Sequence, residues 1–160
     1  MLIRPATPKD QPEIWAMLKP ITRAGETLAL PRDCDEATGM AYWSSAEKLN
    51  FIAEDDGQIL GSSYIRPNQQ GAGGHIANCG YMTAEAARGR GAARALCAHS
   101  IDYAKAAGFK AIQFNFVVSS NEPAVHLWHA LGFDVLARLP KAFNHPTLGY
   151  VDALVMWKTL

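Results

Sequence analysis

The stretch EAARGRGAARAL, residues 85–96, constrains this chain more than any other. Two glycines two apart, Gly89 and Gly91, alternate with Arg88 and Arg90, and an alanine-rich run follows. Before it stands HIANCGYMT, which reads as a strand. After it Ala93, Leu96, Cys97, Ser100, Ile101 and Ala104 recur at the three- and four-residue spacing of one buried helical face. The order is therefore strand, glycine turn, helix. The first N–H groups of a helix have no partner inside it, and the aligned peptide dipoles add partial positive charge there. Glycines let an anion approach that backbone, and arginines add fork-shaped donors. Such a segment is built to hold phosphate; the plainer alternative is a tight turn whose arginines are merely solvated.

Two common phosphate loops are excluded by residues. The GxxxxGK[ST] loop needs a lysine and a hydroxyl residue, and neither falls in place. The dinucleotide fingerprint GxGxxG needs a third glycine for close helix–strand packing, but Arg94 stands there. The acidic residue expected about 20 positions on is missing too, since that region reads FKAIQF.

The rest of the chain supplies the frame. MLIRPAT is a short strand ending at Pro8, with Thr7 able to cap a helix whose apolar face is Ile14, Trp15, Leu18 and Ile21. A loop leads to a second helix, roughly 35–48, capped by Asp33 or Asp35. NFIAEDDGQILGSSYIRP is a hairpin turning at Asp55-Asp56-Gly57. Gly80, inside its strand, marks a bulge or a close backbone approach. AIQFNFVV is β-prone, and SSNEPAVHLWHALGF is a helix capped by Ser120 or Asn121 and stopped at Gly132. DVLARL and YVDALVMWKTL are closing strands joined by PKAFNHPTLG. Trp15, Trp43 and Trp157 fall on apolar stripes and are expected in the core. No linker or repeat divides residues 1–160, so a single domain is expected.

Composition narrows the function class. Charged residues make up 19% and the formal net charge is zero, which argues against nucleic-acid or membrane-surface binding. Cys34, Cys79 and Cys97 are widely spaced, with no CxxC, as in a cytoplasmic protein. MLIRPATPKD has no apolar targeting core, and no long apolar run follows. His126-x-x-His129 has helix spacing for a metal pair but no third ligand, so no metal is expected.

Arg88-x-x-Gly91-x-Ala93 matches R/Q-x-x-G-x-G/A, and NEPAVHLWHALGF, 121–133, fits N-x-x-A-x-x-x-Y/W-x-x-x-G-F. In that order and spacing the chain resembles the GNAT superfamily of N-acetyltransferases. The resemblance implies an α+β fold: a central, mostly antiparallel, splayed sheet of six to seven strands flanked by about four helices. The strands ANCGYMT and AIQFNFVV would run parallel and splay apart. The gap would hold the pantetheine arm of acetyl-CoA, the coenzyme A co-substrate. The diphosphate would lie on Arg88, Gly89, Arg90, Gly91, Ala92 and Ala93, with Asn121 and Trp128 also meeting the cofactor. A backbone N–H at Met82 or Thr83 would polarise the thioester carbonyl.

The implied chemistry is acyl transfer to a neutral amine in a ternary complex, and it needs a route for the amine proton. Glu26, Asp152 and His145 are candidate bases, each more simply read as surface. The family's tyrosine acid is replaced by Trp128, whose indole cannot release a proton near neutral pH. Tyr81 or Tyr150 could substitute, or the thiolate leaves with hydrogen-bond help alone. Alternation puts Gln113, Asn115 and Val117 on one face and Phe114 and Phe116 on the core face, so Asn115 lines the cleft or serves as a structural amide. Asn115, Asn121 and Tyr150 are the catalytic candidates. Thr27 of GETLALP, with Asn115 and Asp152, is the substrate-binding set, and PKAFNHPTLGYVDALVMWK is the opposite wall.

The expected acceptor is a small-molecule amine, of amino-acid or proline-analogue kind. The rivals are a protein acetyltransferase acting on an N-terminus or lysine, and a non-catalytic acyl-CoA-binding module. Two sheet edges leave a homodimer open.

Overall fold

Asp56 and Gly57 both carry positive φ, 48° and 76°, as a two-residue hairpin turn requires. They join β2 (Leu49–Asp55) to β3 (Gln58–Pro67) where the DDG sequence predicts. The computed structural model describes residues 1–160 and adds β1 (Leu2–Pro5), β4 (Ile76–Thr83), β5 (Ala111–Val118), β6 (Asp134–His145) and β7 (Gly149–Thr159). All seven form one sheet ordered β1-β2-β3-β4-β5-β7-β6. Every neighbouring pair is antiparallel except β4 and β5. Helices α1 (Gln11–Ala24) and α2 (Glu36–Trp43) pack on one face, burying Ile14, Leu18 and Trp43 with Tyr64 and Met82. Helices α3 (Ala92–Ala106) and α4 (Glu122–Ala130) pack on the other, where Leu96, Cys97 and Trp128 meet Phe114 and Met156. This is the splayed α+β architecture expected.

Local chemistry sets the element ends. Thr7 donates its N–H and its Oγ1 hydrogen to Asp10 Oδ2 at 2.7 and 2.9 Å, fixing a 3₁₀ turn ahead of α1. Gly25, at φ 67°, stops α1. Asp35 caps α2, its Oδ1 accepting from the Thr38 N–H at 2.8 Å. That helix ends at Trp43, well short of the expected 48. Ser44 leaves helical space, and Asn50 Nδ2 donates to the Trp43 carbonyl at 3.1 Å. In α3, Ala92 takes the core position and Ala93 is half-buried. Trp43 is fully buried, but Trp15 and Trp157 are only half-buried, contrary to the core expectation.

Two bulges alter the β-strand reading. In β5, Asn115 and Phe116 stand between the pairs Phe114↔Met156 and Val117↔Leu154, so alternation breaks. Phe114 is buried, whereas Phe116 is 38% exposed and leaves the core face assigned to it. In β6 the expected loop from Pro140 is still strand. Pro140, Lys141 and Ala142 oppose Asp152 alone, between Leu139↔Ala153 and Phe143↔Val151. Lys141 adopts φ 53°, and its N–H donates to Asp152 Oδ1 at 3.0 Å.

Candidate active site

The parallel ladder of β4 and β5 stops after two registers, Ile76↔Ala111 and Ala77↔Ile112. At the fork Asn78 Nδ2 donates to the Gln113 carbonyl at 3.0 Å, and beyond it the strands part. Strand residues alternate in the side to which their backbone groups point. The Asn68 N–H donates to the Ile76 carbonyl and the Ala84 N–H to Leu60, so even-numbered β4 residues face β3. Cys79, Tyr81 and Thr83 therefore turn their N–H and C=O groups into the gap. Of the two donors considered for polarising a carbonyl, Thr83 faces the gap and Met82 faces β3.

At the open end lies the glycine turn. Gly89 and Gly91 have φ 76° and 80°, and no atom lies within 4 Å of a Cβ built on either. The Arg90 N–H donates to Ala87 and the Ala95 N–H to Gly91. The N–H groups of Gly89, Gly91, Ala92, Ala93 and Arg94 find no acceptor in the chain. Five free donors at a helix start, beside an unpaired strand edge, fit a ligand with a diphosphate at one end and an amide arm along its length. Arg88 is exposed beside them, while Arg90 is bound to Asp55 through Nη2–Oδ2 at 3.0 Å. Asn121 stands at the start of α4, and its side chain makes no capping bond.

The α3/α4 side of the fork is closed by rings. Tyr81 lies 5.0 Å from Trp128 and 5.8 Å from Phe114, centroid to centroid, and Trp128 lies 5.3 Å from Phe114. Trp128 is buried there rather than standing as an acid in the gap. The Tyr81 hydroxyl is buried without a hydrogen-bond partner near Cys79, Cys97 and Ser100. Burial pushes it well above the usual tyrosine range and the thiols of Cys79 and Cys97 up to about 12. Tyr81 thus points its hydroxyl into the core on the α3 side.

On the α1/α2 side Gln113 Nε2 donates to Asn115 Oδ1 at 3.0 Å, and Asn115 Nδ2 donates to Asn68 Oδ1 at 2.7 Å. Asn115 is exposed within this amide chain. A cleft of about 470 Å³ opens between the loop after α1 and the β6–β7 hairpin, the two walls expected for an acceptor. Leu28, Leu30 and Arg32 line one wall, Phe143, Asn144 and His145 the other. The Phe143 ring lies 6.3 Å from Phe116, next to Asn115.

Of the remaining candidates only His145 lines this cleft. Asp152 accepts from the Lys141 N–H at 3.0 Å and from Arg138 Nη1 at 2.9 Å, and both bonds hold its carboxyl below the usual range. His145 Nδ1 accepts from the N–H groups of Thr147 and Leu148 at 3.2 and 3.3 Å, which leaves the ring proton of the neutral form on Nε2. Its free nitrogen is a donor. Tyr150 is 69% exposed opposite Asn144, and neither it, Thr27 nor Glu26 lines the cleft. His126 and His129 are exposed. Sequence reasoning missed Asn68, Asn78, Arg32 and Asn144. Asn78, a polar residue mid-strand two before Gly80, was the clearest available signal.

Residues 13–133 match the family model of the acetyltransferase (GNAT) family. The chain is 33% identical over 100 residues to N-acetyltransferase aca1 of Schizosaccharomyces pombe, covering 61% of this chain and 47% of that protein. It therefore spans about half the length of the curated relative it matches. A GCN5-related N-acetyltransferase from Kribbella flavida superposes with a TM-score of 0.94 at 44% identity, covering 99% of this chain and 97% of that one. A phosphinothricin acetyltransferase from Sinorhizobium meliloti, solved with acetyl-CoA, shares the fold at TM-score 0.85 and 18% identity, covering 99% and 88%.

Proposed function

The chain belongs to the acetyltransferase (GNAT) family, and on that premise we propose that it acetylates a primary or secondary amine of a small molecule, of amino-acid kind, using acetyl-CoA in a ternary complex. The observation that carries this reading is the row of free N–H donors at Gly89 and Gly91–Arg94, set at the end of an open β4 edge. Bound acetyl-CoA supplies an acetyl thioester already activated toward amines. The turn N–H groups and Arg88 bind its diphosphate, and the backbone of Cys79, Tyr81 and Thr83 pairs with its amide arm. The Thr83 N–H donates to the carbonyl oxygen as charge grows there, and Asn121 meets the arm. Asn115, held by Gln113 and Asn68, orients the amine.

Direct attack is supported by the thiols: Cys34, Cys79 and Cys97 are all buried, and burial raises Cys79 and Cys97 to about 12, which disfavours the nucleophilic thiolate. No carboxylate lines the cleft, so the amine proton passes to water. No helix is long and apolar enough to cross a membrane; the three free cysteines, Cys34, Cys79 and Cys97, support action in the cytoplasm. The edge strand β6, exposed from Asp134 to Ala142 with Leu136 at 61%, is where we place a homodimer contact.

Calorimetry with coenzyme A, paired with thiol release across a panel of amines, tests the proposal. Binding together with turnover of small amines is expected. Binding without thiol release would instead mark an acyl-CoA-binding module, and preference for peptide amines a protein acetyltransferase.

A further inference from the structure

The acceptor cleft contains an arginine held in place with part of its guanidinium unused. Arg32 lies across Gly25, where a Cβ would come within 2.7 Å of Arg32 Cδ and 2.9 Å of Cγ, so the missing side chain is its seat. Arg32 Nε donates to the Arg23 carbonyl at 2.9 Å, in the last turn of α1. Arg23 donates in return to the carbonyls of Arg32 and Cys34, pinning the loop. The guanidinium is thereby fixed along its Nε edge. Its Nη1 and Nη2 make no hydrogen bond in the chain, and none of the six ion pairs involves it.

Across the cleft, His145 presents its Nε2–H because Nδ1 is used by the hairpin turn, and Asn144 stands beside it. No Asp or Glu lines the cleft. A site with donors on both walls, a fixed guanidinium and apolar sides from Leu28, Leu30 and Phe143 favours an anion on a short carbon skeleton.

We infer that Arg32 is a specificity-determining residue, its Nη1–Nη2 edge receiving the carboxylate of a free amino-acid acceptor. This rests on the N-acetyltransferase reading above. A charge-assisted bond to a carboxylate is worth about 1.5–3 kcal/mol, or about 10- to 100-fold in affinity. A carboxamide or a simple amine leaves the fork unpaired and is selected against.

The test compares free amino acids, their carboxamides and the matching aminophosphonates, with wild type, Arg32→Gln and Arg32→Lys. Thiol release gives kcat and KM, and calorimetry gives acceptor affinity in the presence of coenzyme A. Wild type should favour acids over carboxamides. Arg32→Gln should raise KM for acids about 10- to 100-fold with kcat held and leave carboxamides unmoved, and Arg32→Lys should fall between. A preference for aminophosphonates over acids would overturn the carboxylate assignment, as would equal effects of Arg32→Gln on acids and carboxamides. If the variants do not fold, the wild-type preference for acids over carboxamides decides. If no amine releases thiol, the acetyltransferase reading fails. Calorimetry then judges Arg32 alone: acid-selective binding lost in Arg32→Gln sustains the site, and equal affinities overturn it.

Discussion

The ring of Tyr64 occupies the space where residue 80 would carry a side chain. The two face each other in register across β3 and β4, and a Cβ on Gly80 would lie 2.4 Å from Tyr64 Cε1. Tyr64 packs edge-on against Trp43, with centroids 5.1 Å apart, so the ring is backed by a buried indole and has little room to retreat. Gly80 thus marks a close approach and no bulge, and it belongs to the strand bordering the fork.

Gly80→Ala is therefore an overpacking substitution. It should cost about 1–3 kcal/mol in urea unfolding. Displacement of β4 should also weaken coenzyme A binding by calorimetry. A variant as stable as wild type, with unchanged affinity, would show that Tyr64 moves aside freely.

Gly91→Ala separates binding from stability at the turn. The left-handed φ of 80° strains an L side chain by about 1–2 kcal/mol, but a Cβ there meets nothing within 4 Å. Stability should fall by no more than that strain. Coenzyme A affinity should fall further, about tenfold or more beyond it, because the methyl stands among the free N–H groups that receive the diphosphate. Unfolding curves and calorimetry on the same preparation compare the two losses.

What the sequence revealed and what it concealed follow from the range of the interactions. The Arg88–Ala93 turn was readable because positive φ at residues 89 and 91 demands glycine, a local requirement. The DDG hairpin and the Gly132 helix stop were readable for the same reason. The bulge at Lys141 was not. A lysine at φ 53° next to Pro140 reads as loop, and only Asp152, far along the chain, holds it in the sheet. Phe116 misled because alternation assumes an unbroken ladder, and β5 breaks one residue earlier. Arg32 gave no signal alone, since its role depends on Gly25 and on a hairpin near the other end of the chain.

Tyr81 and Trp128 provide a test of how the thiolate leaves. General acid catalysis is worth about 100- to 10,000-fold. Tyr81→Phe removes a buried hydroxyl that has no partner, so stability should hold or rise and turnover should persist. Trp128→Phe leaves a cavity beside Tyr81 and Phe114, costing about 1–2 kcal/mol against about 3–5 for truncation to alanine. Turnover of the folded Trp128→Phe variant, from steady-state thiol release, should fall less than about tenfold, below the range of a lost general acid. A loss near 1000-fold in Tyr81→Phe would identify that hydroxyl as the proton donor, and the same loss in folded Trp128→Phe would overturn departure with hydrogen-bond help alone.

Asp10 ties the start of α1 to the sheet, and its pH dependence has a defined sign. Its carboxylate is buried and accepts from Arg4 Nη1 and Nη2 at 2.9 and 2.8 Å and from Thr7 twice. The Arg4 bonds, more than those of Thr7, hold the carboxyl far below the usual range. The unfolded carboxyl titrates near 3.9, so the folded state binds the proton more weakly. The stabilisation is complete above about pH 5 and is lost as pH falls toward the lower folded value. Asp10→Asn leaves Arg4 with Glu54 at 2.8 Å as its remaining charged partner. Breaking a buried pair costs about 3–5 kcal/mol, and Arg4 is 29% exposed, which brings the expectation to about 2–3. Urea unfolding at pH 7 should show that gap between wild type and Asp10→Asn, and at pH 3 the gap should be smaller. A gap that stays constant from pH 7 to pH 3 would mean that Asp10 acts by shape rather than by charge.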